Sequence, residues 1–306
     1  MRVEFTAGPD DDRRLESVLR RLLPHQPLSA LHKALRQGDV RLNGAKAGPQ
    51  SRVSPGDKVS VWDALVPANP PPPVRAPGKA PLPPEWVLYE GTDLVVINKP
   101  SGLVVHRGDG PVRSQEPPLD DRVRAWLGPS TASLSFRPGP LHRLDRETSG
   151  LVVFSRTLAG ARAFSDALAR RKVSKTYLAV LRGDLESPQE VRDSLSRDQE
   201  TRTTVRDANG EEALTLFKPL ARAAGLTLAE IDLGTGRTHQ IRAHAQTLGF
   251  PLAGDAKYGG SPTPEGLDVP WLLHARSLSC SLLPALTAPL PVSLARWLKK
   301  IFKISL

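Results

Sequence analysis

Residues 140–157 read PLHRLDRETSGLVVFSRT and place Arg143, Asp145 and Arg146 beside His142, directly ahead of the apolar run Leu151–Phe154. A β-branched and aromatic run of that length predicts a buried strand. Charges at the mouth of a buried strand are costly to desolvate unless they are paired, so the cluster reads as a site. A carboxylate such as Asp145 can act there as nucleophile or base, provided a fixed cation keeps it ionised. A surface turn carrying an Arg–Asp pair is the competing reading of the same residues.

Three further stretches carry groups able to do chemistry. Gly234–His244, GTGRTHQIRAH, gathers Arg237, His239, Arg242 and His244. Two histidines suggest a metal, but no third ligand falls at useful spacing and Cys280 is the only cysteine, so neither a metal site nor an internal disulfide is expected. Lys175–Val180, KTYLAV, sets Tyr177 in an alternating strand, where a tyrosine is ordinarily a core residue with a satisfied hydroxyl. Asn98–His106, NKPSGLVVH, makes a sharp turn at Pro100 and Gly102, with Lys99 open as a phosphate ligand or a core ion-pair partner.

The elements that must position these groups fall into two units. Arg13–Trp62 predicts a small one: a helix with Leu15, Val18, Leu19 and Leu22 on one face, and a second helix capped by Ser29 and stopped at Gly38. A hairpin through Asn43-Gly44 and a last strand near Val59–Val61 complete it. Residues 63–84 are so rich in proline that they read as a semi-stiff linker. From Glu85 to the end the pattern is that of a larger domain. Strands are expected at Val87–Glu90, Leu94–Asn98, Lys175–Val180, Glu212–Pro219 and Leu226–Leu233. A helix capped by Thr157 and ending in Arg170-Arg171-Lys172, and a closing amphipathic helix over Leu290–Lys300, flank them. The first unit is expected to move relative to the second.

The chain has 306 residues, 39% of them hydrophobic, and a net charge of +10. That is enough for one large core and a small one, and the basic balance favours a polyanionic partner: RNA, DNA or anionic lipid. No apolar run approaches the roughly 18–20 residues of a membrane helix. The acidic start, MRVEFTAGPDDD, does not resemble a signal peptide, and a reducing cytoplasm suits the single cysteine.

His142-Arg143-Leu144-Asp145 followed by Thr148-Ser149-Gly150 resembles the signature of the RluA-type pseudouridine synthases. The NKPSGLVVH, KTYLA, GRTHQIRAH, GDAKYG and LHARSL segments are similar to further landmarks of that family, in order from Tyr89 to Leu278. The family's His-Pro pair is missing after Leu278, where Ser281-Leu282-Leu283-Pro284 stands. RQGDVRLNG and VSPGDKVSV in the first unit resemble an S4 RNA-binding domain.

The resemblance implies an α+β catalytic domain over 85–306, with a mainly antiparallel central sheet crossed by a cleft, and an S4-like α/β unit over 13–62. It implies that Asp145 is the catalytic carboxylate, acting on C1′ of a uridine or on a ribose proton, with Arg242 as its cation and Tyr177 against the base. Arg143 would fill the stack vacated by the everted uridine, and His142, Ile241 and Leu278 would shape the pocket. Arg20, Arg21, Lys33, Arg36 and Arg41 would meet RNA. No cofactor is implied, because the isomerisation needs no redox step and no external group. The implied substrate is large-subunit ribosomal RNA, free or in an assembling subunit, and the implied working unit is a monomer. Transfer RNA as substrate, an inert assembly factor, and a nucleosidase releasing free uracil are the alternatives.

Overall fold

The computed structural model describes residues 1–66, 81–106, 116–128 and 133–304. The N-terminal unit begins earlier than Arg13. Strand β1 (Arg2–Thr6) leads through β2 (Arg13–Arg14) into helices α1 (Leu15–Leu22) and α2 (Leu28–Gln37), then β3 (Val40–Leu42), β4 (Ala45–Lys46), β5 (Arg52–Val53) and β6 (Lys58–Trp62). β1 pairs antiparallel with β6 along its whole length, giving a sheet of order β1-β6-β3-β4, while β2 and β5 pair separately. Leu15, Val18, Leu19, Leu31, Leu35 and Val59 form its core. α2 starts one residue ahead of Ser29, after Pro27 and without a side-chain cap. Ser29 therefore lies inside the helix, whose first turn closes on the Pro27 carbonyl, the acceptor of the Ala30 and Leu31 N–H groups. The helix ends as expected at Gly38, whose left-handed φ of 79° a side chain would resist.

Most of the proline-rich stretch lies outside the described residues. Its ends do not behave as linker: Asp63–Leu65 forms a 3-10 turn, and Leu82 is buried in the large core.

The larger domain is built on one sheet. Its strands are β7 (Val87–Glu90), β8 (Leu94–Lys99), β9 (Gly139–Pro140), β10 (Ser149–Ser155), β11 (Ser174–Arg182), β12 (Gln189–Arg197), β13 (Thr204–Arg206), β14 (Glu211–Ala223), β15 (Leu226–Leu233), β16 (Leu273–Cys280) and β17 (Leu283–Thr287). Between them run helices α3 (Leu119–Leu127), α4 (Leu158–Ala169), α5 (Gln240–Thr247) and α6 (Val292–Phe302). The path is β13-β12-β14-β15-β11-β16-β10-β8-β7, with β17 on β16 and β9 on β10. Thr157 caps α4 as expected, accepting from the Gly160 N–H.

β10 and β16 are the one parallel pair on this path, and they share only Ser149↔His274 and Gly150↔Ala275. Gly150 makes the approach possible. A Cβ there would stand 2.3 Å from the Ala275 carbonyl oxygen, and its φ of 109° is one a side chain rarely adopts. Two antiparallel halves therefore meet at a short seam beside the residues that precede β10. Among the described residues, no helix is long and apolar enough to cross a membrane.

Candidate active site

A cleft of about 440 Å³ opens beside this seam. One wall comes from the stretch Leu141–Asp145 that leads into β10, another from Lys175 and Tyr177 on β11, and a third from the turn after β15 and the start of α5. Fully buried β10 carries no charge, so the chain turns polar only where it reaches the cleft. α5 starts at His239, whose φ of 53° turns the chain sharply out of the glycine-rich Gly234–Gly236 turn. One helical turn later the axis delivers Arg242 to the cleft floor.

Arg242 and Asp145, 97 positions apart, meet there: Arg242 Nη1 donates to Asp145 Oδ2 at 3.0 Å. The guanidinium's other face is taken by Asp255, which accepts from Nε at 2.6 Å and from Nη2 at 2.8 Å. Tyr258 and Trp271 lie against it at 4.7 and 4.5 Å from their ring centres. Burial would lower the arginine's pKa, but the bonds from Asp255 and Asp145 outweigh it, so the cation is permanent. Asp255 is fully buried whereas Asp145 keeps 21% of its side chain open to the cleft. One carboxylate anchors the arginine; the other is free to react.

His239 Nε2 lies 3.8 Å from the second oxygen of Asp145. Its Nδ1 is 2.9 Å from the Tyr258 hydroxyl, which already accepts the Thr204 N–H. With that hydroxyl donating to Nδ1, the imidazole proton sits on Nε2, facing Asp145. Burial, reinforced by Arg242, Arg197 and Lys257 against the pull of Asp145, lowers the His239 pKa to about 4, so it stays neutral.

Tyr177 is buried on the cleft wall, and burial together with Asp145 pushes its phenol well above the usual range. The ring can stack and the hydroxyl can donate, but it is not a phenolate at neutral pH. Ile241 is buried and lines the cleft, and Arg143 is exposed at its mouth. His142 lines the cleft too, yet its Nε2 accepts the backbone N–H of Val153 at 3.1 Å and its ring stacks on Phe164, so it also holds the approach to β10. Burial, then Lys175, lowers its pKa to about 3, consistent with a neutral acceptor.

Leu278 is not in the cleft. It sits 2% exposed in a cluster with Leu94, Val96 and Phe164 and does not line the cleft. Leu273, five positions earlier on the same strand, takes the cleft position instead. Arg276 is bulged out between the two: Ala275 pairs with Tyr177 but Ser277 with Thr176, so simple alternation does not carry from Leu273 to Leu278.

Lys99 is neither a phosphate ligand nor an ion-pair partner. Its fully buried Nζ donates to the carbonyls of Pro100, Leu103 and Arg146 at 2.8, 2.7 and 2.9 Å. It thereby ties the turn after β8 to the residue that follows Asp145. Asp255, Tyr258 and Trp271 are the site residues that sequence reasoning did not single out, and His239 was weighed there only as a metal ligand. The GDAKYG segment containing Asp255 and Tyr258 was visible as a family landmark, with no role assigned to either residue. The five basic residues expected to meet RNA, Arg20, Arg21, Lys33, Arg36 and Arg41, are all exposed.

Comparison with known proteins agrees with this geometry. The family model described as RNA pseudouridylate synthase matches residues 93–247. The chain is 38% identical over 261 residues to the ribosomal large subunit pseudouridine synthase D of Xylella fastidiosa, covering 84% of this chain and 75% of the relative. It is 31% identical over 255 residues to the ribosomal large subunit pseudouridine synthase C of Vibrio cholerae, covering 80% and 76%. Among solved structures, the human RNA pseudouridylate synthase domain containing 4 superposes with a TM-score of 0.56 at 25% identity, over 71% of this chain and 92% of the human one. The motifs around Asp145, Tyr177 and Arg242, the sheet that carries them and these relatives agree: the chain belongs to the RNA pseudouridine synthase family, in its RluA-type branch.

Proposed function

We propose that the chain isomerises specific uridines of large-subunit ribosomal RNA, with Asp145 as the reacting carboxylate. The observation that carries the assignment is the 3.0 Å pair of Asp145 with a buried Arg242 at the floor of a cleft of about 440 Å³, a size that accepts a small molecule. Substrate choice rests on the names of the bacterial relatives, both ribosomal large subunit pseudouridine synthases.

In the reaction the N1–C1′ bond breaks, the uracil turns, C5 bonds to C1′, and the C5 proton leaves while N1 takes up a proton, so no atom is gained or lost overall. Asp145 starts it either by adding to C1′ or by taking a ribose proton, and Arg242 keeps it ionised for both routes. Tyr177 packs its ring on the base and keeps its proton. Arg143 fills the gap left in the RNA stack, offsetting part of the few kcal/mol that eversion costs. We read the working unit as a cytoplasmic monomer. The N-terminal unit, with Arg20, Arg21, Lys33, Arg36 and Arg41 exposed, is read as an S4-like RNA-binding module.

Pseudouridine mapping of total RNA from cells with the gene, without it, and with Asp145→Asn in its place tests the proposal. Loss of signal at particular large-subunit positions in both altered strains is expected. Loss confined to transfer RNA overturns the substrate, and full signal with Asp145→Asn overturns the site.

A further inference from the structure

The N-terminal unit is joined to the catalytic domain by three consecutive carboxylates. Asp10 Oδ1 accepts the backbone N–H of Leu158, the first residue of α4, at 2.7 Å. Asp11 accepts from the hydroxyls of Ser133 and Ser135 at 2.6 Å each, and from the backbone N–H groups of Leu134 and Ser135 at 2.8 Å each. Asp12 pairs with Arg162 of α4 at 2.8 Å, and with Arg52 of its own unit at 2.6 Å. Around these bonds Leu134 packs against the N-terminal core, and the Arg13 guanidinium lies 5.5 Å from the Phe136 ring centre.

The burial is as informative as the bonds. Asp11 is completely buried and Asp10 is 9% exposed. A carboxylate is withdrawn from water only where donors replace its hydration. Apart from the N–H of Gly8 on Asp11, the donors to Asp10 and Asp11 come from the catalytic domain, more than a hundred positions away. These side chains are therefore built for the docked arrangement and would serve no purpose on a freely tethered module.

Both gripped segments end at the cleft. Residues 133–136 run on into Leu141–Asp145, the cleft wall that carries the reacting carboxylate. α4, held at its first turn by Asp10 and Asp12, brings Leu168, Ala169 and Arg171 to the cleft from its other end. Its 12 residues put roughly 18 Å between those ends.

We propose that Asp10, Asp11 and Asp12 are positioning residues that fix the N-terminal unit at a set distance from the cleft, so that RNA held by that unit offers only uridines at one reach. The proposal rests on the reading of that unit as an RNA-binding module. It turns two tethered binding sites into one rigid surface, and rigid spacing raises the effective concentration of a correctly placed uridine.

The test compares wild type, Asp11→Asn and the double variant Ser133→Ala/Ser135→Ala, which weakens the same contact from the catalytic side. Each is assayed on a structured large-subunit RNA transcript and on a short single-stranded oligonucleotide that reaches only the cleft. Small-angle scattering reports docking. Expected are an enlarged particle, a KM on the transcript raised roughly tenfold, an unchanged kcat, and unchanged kinetics on the oligonucleotide. Variants that stay compact, or that undock with an unchanged transcript KM, overturn the proposal while leaving the RNA-binding reading intact. A parallel Arg20→Glu/Arg21→Glu protein that binds the transcript as wild type does overturns that reading, and the proposal with it.

Discussion

Asp255→Asn is the sharpest perturbation of the site, because it changes one atom of a residue that never faces the cleft. Asp255 supplies two bonds to Arg242, at 2.6 and 2.8 Å, while Arg242 gives Asp145 a single bond at 3.0 Å. Asparagine keeps one acceptor and turns an amide towards a guanidinium that can only donate. A hydrogen bond to a charged group contributes about 1.5–3 kcal/mol net, so one is lost and a buried cation loses one of its two counter-charges. Released on that side, Arg242 draws closer to Asp145 and loses its orientation, and the carboxylate reacts more slowly. At about 1.4 kcal/mol per decade the expected fall in kcat is roughly ten- to hundredfold. KM should hold, because Asp255 does not line the cleft. Urea denaturation should show a loss of about 3 kcal/mol, the lower part of the range for breaking a buried pair. Single-turnover release of tritium from RNA labelled at uridine C5 measures the chemical step. A variant that is destabilised yet turns over at the wild-type rate would refute the argument that Asp255 acts on catalysis through Arg242.

Lys99→Met should destabilise the protein by about 2–4 kcal/mol, because its bonds to the carbonyls of Pro100, Leu103 and Arg146 are lost, the last of these keeping the Gly102 N–H. Since one of those carbonyls belongs to Arg146, kcat should fall more than KM rises; thermal melting and steady-state kinetics together check this, and an active, equally stable variant refutes it. The pH dependence of stability follows from three histidines held neutral by burial: His142 with a pKa of about 3, and His239 and His274 of about 4, against 6.5 unfolded. Above pH 6.5 both states are neutral and the full stability is present. As pH falls below that value the unfolded chain takes up protons that the folded one refuses, so stability drops by at most about 4 kcal/mol per pH unit until the folded pKa values are reached. Melting temperature measured from pH 7.5 to 5 should fall steadily below 6.5; a flat profile refutes the assignment of these groups as buried and neutral.

What the sequence made legible was local. The run Leu151–Phe154 behind a charged cluster announced β10 and its mouth, Thr157 announced α4, and Gly38 announced the end of α2, because each signal lies within one turn or one strand of what it controls. β12 escaped notice because Val191 and Leu195 are its only buried residues, and the rest of Gln189–Arg197 is polar. Leu278 was assigned to the cleft on motif proximity, and the bulge at Arg276, which breaks the alternation between Ala275 and Ser277, has no signature in the sequence. The cage of Asp255, Tyr258 and Trp271 around Arg242 had no periodic signature at all, since it is made by loops that the tertiary fold alone brings together.

The same limit explains the acidic run at the N-terminus. Read locally, Asp10, Asp11 and Asp12 only argue against a signal peptide, and a proline-rich stretch behind the first unit argues for loose tethering. Their contacts span 122 to 150 positions, and no local rule connects a carboxylate to a serine that far away. Yet three adjacent acids in a chain of net charge +10 are an economical way to hold a basic module on a basic domain. Without them Arg13, Arg52 and Arg162 would face one another across the seam, and like charges would push the two units apart. The acids neutralise that repulsion at the contact and leave Arg20, Arg21 and Arg143 exposed for an anionic partner.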